Sequence, residues 1–150
     1  MIHSPERLFR IFGAVWIIVG GLVAAVTGPL DLDKGSWAAA FCVLVAGVAQ
    51  YTFGVVQAAL MSKPPTERRL TAQLVTWNTG CAVVILGTTA GLLVLVHIGG
   101  LLLVASLVLL VITVRGESEP RWALFTYRAL LIILLASIPI GLAIAHVRAG

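Results

Sequence analysis

The sequence predicts an all-α integral membrane protein, a bundle of five transmembrane helices forming one domain over residues 1–150. Of these residues 60% are hydrophobic and 11% are charged, and the mean hydropathy is +1.08. Soluble domains are roughly a quarter charged. The charged residues cluster between long apolar stretches, and a helix needs roughly 20 residues to cross a bilayer. Lipid therefore replaces the polar surface that this chain lacks.

The first two predicted helices cover residues 8–28 and 36–61. Gly28 and Pro29 end the first, since glycine tolerates the C-terminal conformation of a helix and proline cannot continue it. This helix is longer than the roughly 7–15 apolar residues of a signal peptide, so we expect it to be retained. Ser36 is the predicted N-cap of the second helix, which ends before Pro64 and Pro65.

The third and fourth helices are predicted from an uncharged stretch of 43 residues, 72–114. As a single helix it would be about 64 Å long, and the hydrocarbon core of a bilayer is only about 30 Å thick. The stretch must therefore turn back on itself. Residues 96–100, which include His97 and two glycines, have the composition of a turn. This predicts helices over 72–95 and 99–114.

The fifth predicted helix covers residues 122–146 and follows a charged loop at 115–121. Pro139 lies inside it and predicts a kink, because proline donates no backbone hydrogen bond and its ring crowds the preceding turn.

The distribution of lysine and arginine predicts the orientation of the helices. With five helices, seven cations fall on one side of the membrane and two, Lys34 and Arg148, on the other. Cytoplasmic loops carry the excess of positive charge. The N-terminus is therefore expected in the cytoplasm and the C-terminus outside, in a multi-pass protein of the cell membrane. The seven cytoplasmic cations are Arg7, Arg10, Lys63, Arg68, Arg69, Arg115 and Arg121.

The five predicted helices lack residues at membrane depth that could bind haem or metal or transfer protons. His3, His97 and His146 all fall at the ends of predicted helices, whereas a transmembrane haem needs histidines at mid-depth on facing helices. The same shortage argues against metal sites and proton relays. We therefore expect no enzyme, no catalytic residue and no bound metal or cofactor. Cys42 and Cys81 are expected at different depths, as two unpaired apolar side chains.

Small and amide residues share one face of the second helix. Gly47, Gln50, Gly54 and Gln57 are spaced three, four and three residues apart, so they project in similar directions. Glycine lets another helix approach closely, and glutamine can hydrogen-bond across the contact. Three interpretations stay open: packing inside the chain, contact with another subunit, or a ligand site.

The third helix has a similar glycine pattern, and a basic cluster precedes it. Gly80, Gly87 and Gly91 lie close to one face and predict a packing or partner surface. Lys63, Arg68 and Arg69 are candidate contacts for anionic lipid headgroups, although membrane topology alone also explains them.

These features fit two classes of function. A non-catalytic accessory subunit of a multi-subunit membrane complex needs helices, packing faces and short loops. The alternative is a small oligomeric transporter or channel for an uncharged or small solute, whose polar lumen only the face with Gln50 and Gln57 could supply. The expected partners are other integral membrane subunits and lipids. We expect no nucleic-acid partner, and no small-molecule substrate is evident.

One family resemblance follows from the composition and from two segments, 7–14 (RLFRIFGA) and 47–54 (GVAQYTFG). The arginine-rich chain, dominated by Ala, Val, Gly and Leu, resembles small polytopic accessory proteins of actinobacterial membranes. In particular, it is similar to the accessory subunits beside the oxidase in the mycobacterial cytochrome bcc–cytochrome oxidase supercomplex. The resemblance covers general architecture and transfers no functional residue. It implies a structural role beside a haem–copper oxidase in the respiratory chain, with no haem or copper bound by this chain.

Overall fold

The computed structural model describes residues 5–60 and 66–113, together with Phe125, Ala129, Ile132 and Ile133. The part of the chain so described contains helices and turns and no strand, which confirms the all-α class. Four of the helices in this described part are long and apolar enough to cross a membrane. The fifth predicted helix, 122–146, lies outside the described residues except for the four single residues, each of which is helical. The count of five stays a prediction.

The helices in the described part of the chain are α1 (Pro5–Thr27), α2 (35–60), α3 (Glu67–Ala90) and α4 (Leu93–Thr113). α2 consists of three consecutive segments, α-helical at Gly35–Ala40, π-helical at Phe41–Ala49 and α-helical again at Gln50–Leu60. The chain divides into two compact units, Met1–Ala58 and Ala59–Gly150. α1 packs on α2 in the first unit, and α3 packs on α4 in the second.

α1 begins three residues before the predicted start and ends one residue before the predicted end. Pro5 suits the first helical position because the backbone N–H that it lacks has no partner there. A hydrogen-bonded turn follows Thr27, in which Leu30 N donates to Val26 O at 3.0 Å and Leu32 N to Thr27 O at 3.0 Å. α1 therefore ends at the glycine–proline pair, as the sequence predicts.

α2 departs from the prediction at its start. The helix begins at Gly35, and its N-cap residue is Lys34, without a side-chain capping bond. The predicted N-cap, Ser36, lies inside the first turn and is exposed. Gly35 is buried, and a β-carbon there would collide with the side chain of Thr27. α2 therefore begins at a glycine that packs closely against the end of α1.

The turn between α3 and α4 is displaced from the predicted position, 96–100, to Gly91 and Leu92. Gly91 has a φ of +71°, a left-handed conformation that glycine adopts without steric cost. Leu92 N donates to Gly87 O at 2.8 Å, and Gly91 N donates to Thr88 O at 3.4 Å. These bonds end α3, so the predicted turn at 96–100 is wrong.

The displaced turn makes the fourth helix longer than predicted. α4 has 21 residues and contains His97, whose Nδ1 donates to Leu93 O at 2.8 Å within the helix. Gly99 is buried against α3. Of the two glycines that resembled a turn signal, Gly99 and Gly100, the first is therefore a contact residue between two helices. α4 also packs along one face, where Leu103, Leu107 and Leu110 are buried.

Candidate functional site: buried glycines and amides of the helix pairs

In the first unit, glycines let the backbones of α1 and α2 come into direct contact. A β-carbon on Gly13 would lie 2.8 Å from both Gly47 O and Tyr51 N. One on Gly20 would lie 2.6 Å from a methyl carbon of Val43, and one on Gly47 2.6 Å from Ile17. Real β-carbons do not come so close to other heavy atoms, so these three positions require glycine in the observed packing.

The π-helical segment of α2 keeps one face of this helix on α1. The atoms nearest to Gly13 and Gly20 belong to residues that include Ala39, Val43, Gly47 and Tyr51, each four positions after the last. In an α-helix a four-residue repeat drifts by about 40° per step. A π-helix closes its hydrogen bonds over five residues, so each turn holds more than four residues and a four-residue step drifts in the opposite direction. The π-helical segment thus offsets the drift of the flanking α-helical turns. We therefore attribute the π-helical segment to the fit between α1 and α2.

All four members of the predicted face on α2 are buried. Gln50 is 0% exposed and Gln57 4%, and Gly47 and Gly54 are buried as well. Their burial is complete within one chain, and the role of this face stays a prediction. Gly47 contacts α1 directly.

The amide of Gln50 has no hydrogen-bond partner among the described residues. Neither Oε1 nor Nε2 is bonded, although both atoms are fully buried. An unsatisfied buried polar group costs about 1–3 kcal/mol in proteins, and several kcal/mol per group where the surroundings are hydrocarbon. Gln50 is therefore the most costly polar side chain described in the first unit.

The buried amide of the second unit is hydrogen-bonded. Gln73 Nε2 on α3 donates to Leu109 O on α4 at 3.3 Å, and Ser106 Oγ on α4 donates to Gln73 O at 3.3 Å. Both side chains are 0% exposed. Asn78 Nδ2 also donates to Leu74 O, one turn earlier on α3, at 2.7 Å. The bonds of Gln73 and Ser106 link α3 to α4, and the bond of Asn78 lies within α3. Ser106 is not among the predicted site residues, because a single serine in an apolar helix gives little signal.

Two of the three glycines predicted on α3 lie in the contact with α4. A β-carbon on Gly80 would lie 3.1 Å from Gly99 O, and one on Gly87 would lie 2.7 Å from Val96 N. Gly91 does not belong to this face, contrary to the prediction: it is exposed, has no neighbour within 4 Å of a β-carbon, and ends the helix. Gly99 takes part instead, and the prediction missed it by assigning it to the turn.

The described cations lie at helix ends. Arg68 and Arg69 are exposed in the first turn of α3, beside Glu67, whose charge suits the positive end of the helix dipole. Lys63, the third member of the predicted headgroup cluster, lies outside the described residues. On α1, the Arg10 guanidinium lies 5.5 Å from the ring centroid of Tyr51, in a cation–π contact.

Over residues 5–60 and 66–113, no three residues of the types His, Cys, Asp and Glu come together as a metal site would require. Cys42 and Cys81 are buried and carry free thiols. The fold and these contacts define a class of protein: it is helical, the described residues include four helices suited to span a bilayer, and these helices form glycine-mediated pairs. Comparison with models of protein families, with characterised proteins and with solved structures found no match.

Proposed function

We propose that this chain is a non-catalytic accessory subunit of a multi-subunit membrane complex. The observation that supports this most is that buried polar groups hold helices of the chain together. Gln73 and Ser106 form hydrogen bonds between α3 and α4. Each helix also has an outer apolar face, as neighbouring membrane helices or lipid would require. Exposed residues of these faces are Ile18 and Leu22 on α1, Leu44 on α2, Leu86 on α3, and Val94 and Leu101 on α4.

The complex we propose is respiratory and contains a haem–copper oxidase. Support comes from the resemblance to accessory subunits of the mycobacterial supercomplex, at segments 7–14 and 47–54. The second segment contains Gly47, Gln50 and Gly54, which are buried in this chain. In this proposal the chain binds no haem or copper itself, and it contacts the other subunits through its apolar faces.

The proposal is tested by purifying the tagged full-length protein from its native membranes in a mild detergent. We expect other integral membrane subunits to copurify, together with the visible absorption of haem. A tagged, unrelated polytopic protein of similar size serves as the control for detergent carry-over. Purification of the chain without any other subunit would contradict the proposal.

The proposed orientation predicts which side of the membrane each loop faces. Cysteines introduced by Asp33→Cys and Ala149→Cys should react with an impermeant thiol reagent in intact cells, and those introduced by Thr66→Cys and Ser118→Cys should not. The reason is the excess of arginine and lysine in the loops around residues 66 and 118. The native Cys42 and Cys81 are buried and give little background. Reaction at position 118 in intact cells would contradict this orientation.

A further inference from the structure

Gln50 occupies an unusual position in the first unit. It is the first residue after the π-helical segment of α2, and its backbone N–H donates to Gly47 O, three residues earlier. Its side chain is 0% exposed, yet neither amide atom has a partner among the described residues. π-helical segments occur frequently at functional sites. The end of the π-helical segment and the unsatisfied amide thus coincide at Gln50.

The chemistry of this amide determines what could satisfy it. A glutamine side chain offers two N–H donors and an oxygen with two lone pairs. Backbone carbonyls are also close to this part of the helix pair: Gly47 O lies one turn before Gln50 and would be 2.8 Å from a β-carbon on Gly13, and Gly13 O would be 3.1 Å from one on Gly47. Each carbonyl has a second lone pair beyond its helical hydrogen bond. Donors and acceptors are therefore both present.

The packing around the amide limits the size of the ligand. The side chain of Gln50 has no exposed surface. A ring or an acyl chain would have to displace the atoms that cover this amide. A single water molecule needs little volume and two to four polar partners, a requirement that this amide and a nearby carbonyl would meet.

We propose that Gln50 holds a buried water molecule where the π-helical segment of α2 meets the α-helical segment Gln50–Leu60. The water accepts a hydrogen bond from Nε2 and donates one to Oε1 or to a backbone carbonyl. This site explains why a fully buried position in an apolar helix holds an amide and not leucine, which has a similar volume. It does not depend on the proposed role as an accessory subunit.

The chain is well suited to a direct test, because it contains only three glutamines, Gln50, Gln57 and Gln73. Full-length protein labelled with ¹⁵N only at the glutamine side chains should give three NH₂ signals in detergent or nanodiscs. Gln50→Leu, Gln57→Leu and Gln73→Leu each remove one signal and so assign them. If Gln50→Leu fails to fold, the other two variants assign Gln50 by elimination.

The measurement is a nuclear Overhauser cross-peak between each side-chain NH₂ and water. We expect a cross-peak at Gln50, with the sign of a water that tumbles with the protein. Gln73 is the matched control, since it is equally buried but donates to Leu109 O, and should show none. A Gln50 signal with cross-peaks only to protein side chains would overturn the proposal, as would equal water cross-peaks at Gln50 and Gln73.

Discussion

The substitution Gly13→Ala is expected to destabilise the first helix pair strongly. The new β-carbon would lie 2.8 Å from Gly47 O and from Tyr51 N, which are backbone atoms and cannot rotate away as a side chain can. α1 and α2 must then move apart along their contact. Overpacking costs typically about 1–3 kcal/mol and sometimes more, and we expect this variant near or above the upper value. Unfolding of the purified protein in mild detergent, followed by circular dichroism, measures the change.

Gly21→Ala is the matched control for this experiment. Gly21 lies on the same helix, is exposed, and has no atom within 4 Å of a β-carbon. In a helix interior alanine is favoured over glycine by roughly 1 kcal/mol, so this variant should be neutral or slightly more stable. Equal stability of the Gly13 and Gly21 variants would show that α1 and α2 do not make the contact described.

The substitution Gly99→Ala is expected to have an effect of similar size on the second helix pair. A β-carbon there would lie 2.8 Å from Val84 N, 2.9 Å from Gly80 O and 2.7 Å from a methyl carbon of Val84. Two of these three atoms are backbone atoms of α3. The added methyl group should therefore separate α3 from α4 and lower the free energy of unfolding by roughly 1–3 kcal/mol or more.

Ala105→Val tests whether added volume alone matters on α4. Ala105 is exposed, and this variant adds two methyl groups where Gly99→Ala adds one. We expect a change within about 0.5 kcal/mol, as is usual for surface positions. If residues 96–100 formed a turn, as the sequence suggested, Gly99 would not touch α3 and Gly99→Ala would have little effect. A neutral Gly99 variant would thus favour that turn over the one at Gly91.

The sequence predicted the class of the fold and several helix ends because the responsible signals are local. The absence of charge over 72–114 requires two helices whatever their contacts, and Gly28 with Pro29 ends α1 through backbone conformation alone. The turn was placed wrongly because glycine has two uses. Gly91 has the positive φ of a helix end, whereas Gly99 permits close approach to α3. Residue type alone does not distinguish these uses.

The prediction of the candidate site had a similar limit. The spacing of Gly47, Gln50, Gly54 and Gln57 identified a face that the structure buries. The spacing could not distinguish Gln50, which has no partner among the described residues, from Gln73, which donates to Leu109 O. That difference depends on which carbonyl of a neighbouring helix lies within reach. The π-helical segment was also beyond sequence reasoning, because it depends on the four-residue repeat of contacts with α1.

The most direct test of the proposed function is native mass spectrometry of the protein isolated from its own membranes. An accessory subunit predicts a complex of fixed stoichiometry in which this chain is bound to other integral membrane subunits, including subunits that contain haem. The rival function, a small transporter, predicts copies of this chain around a polar pathway. A stable homo-oligomer without other subunits, which moves a solute when reconstituted in liposomes, would contradict the role of an accessory subunit.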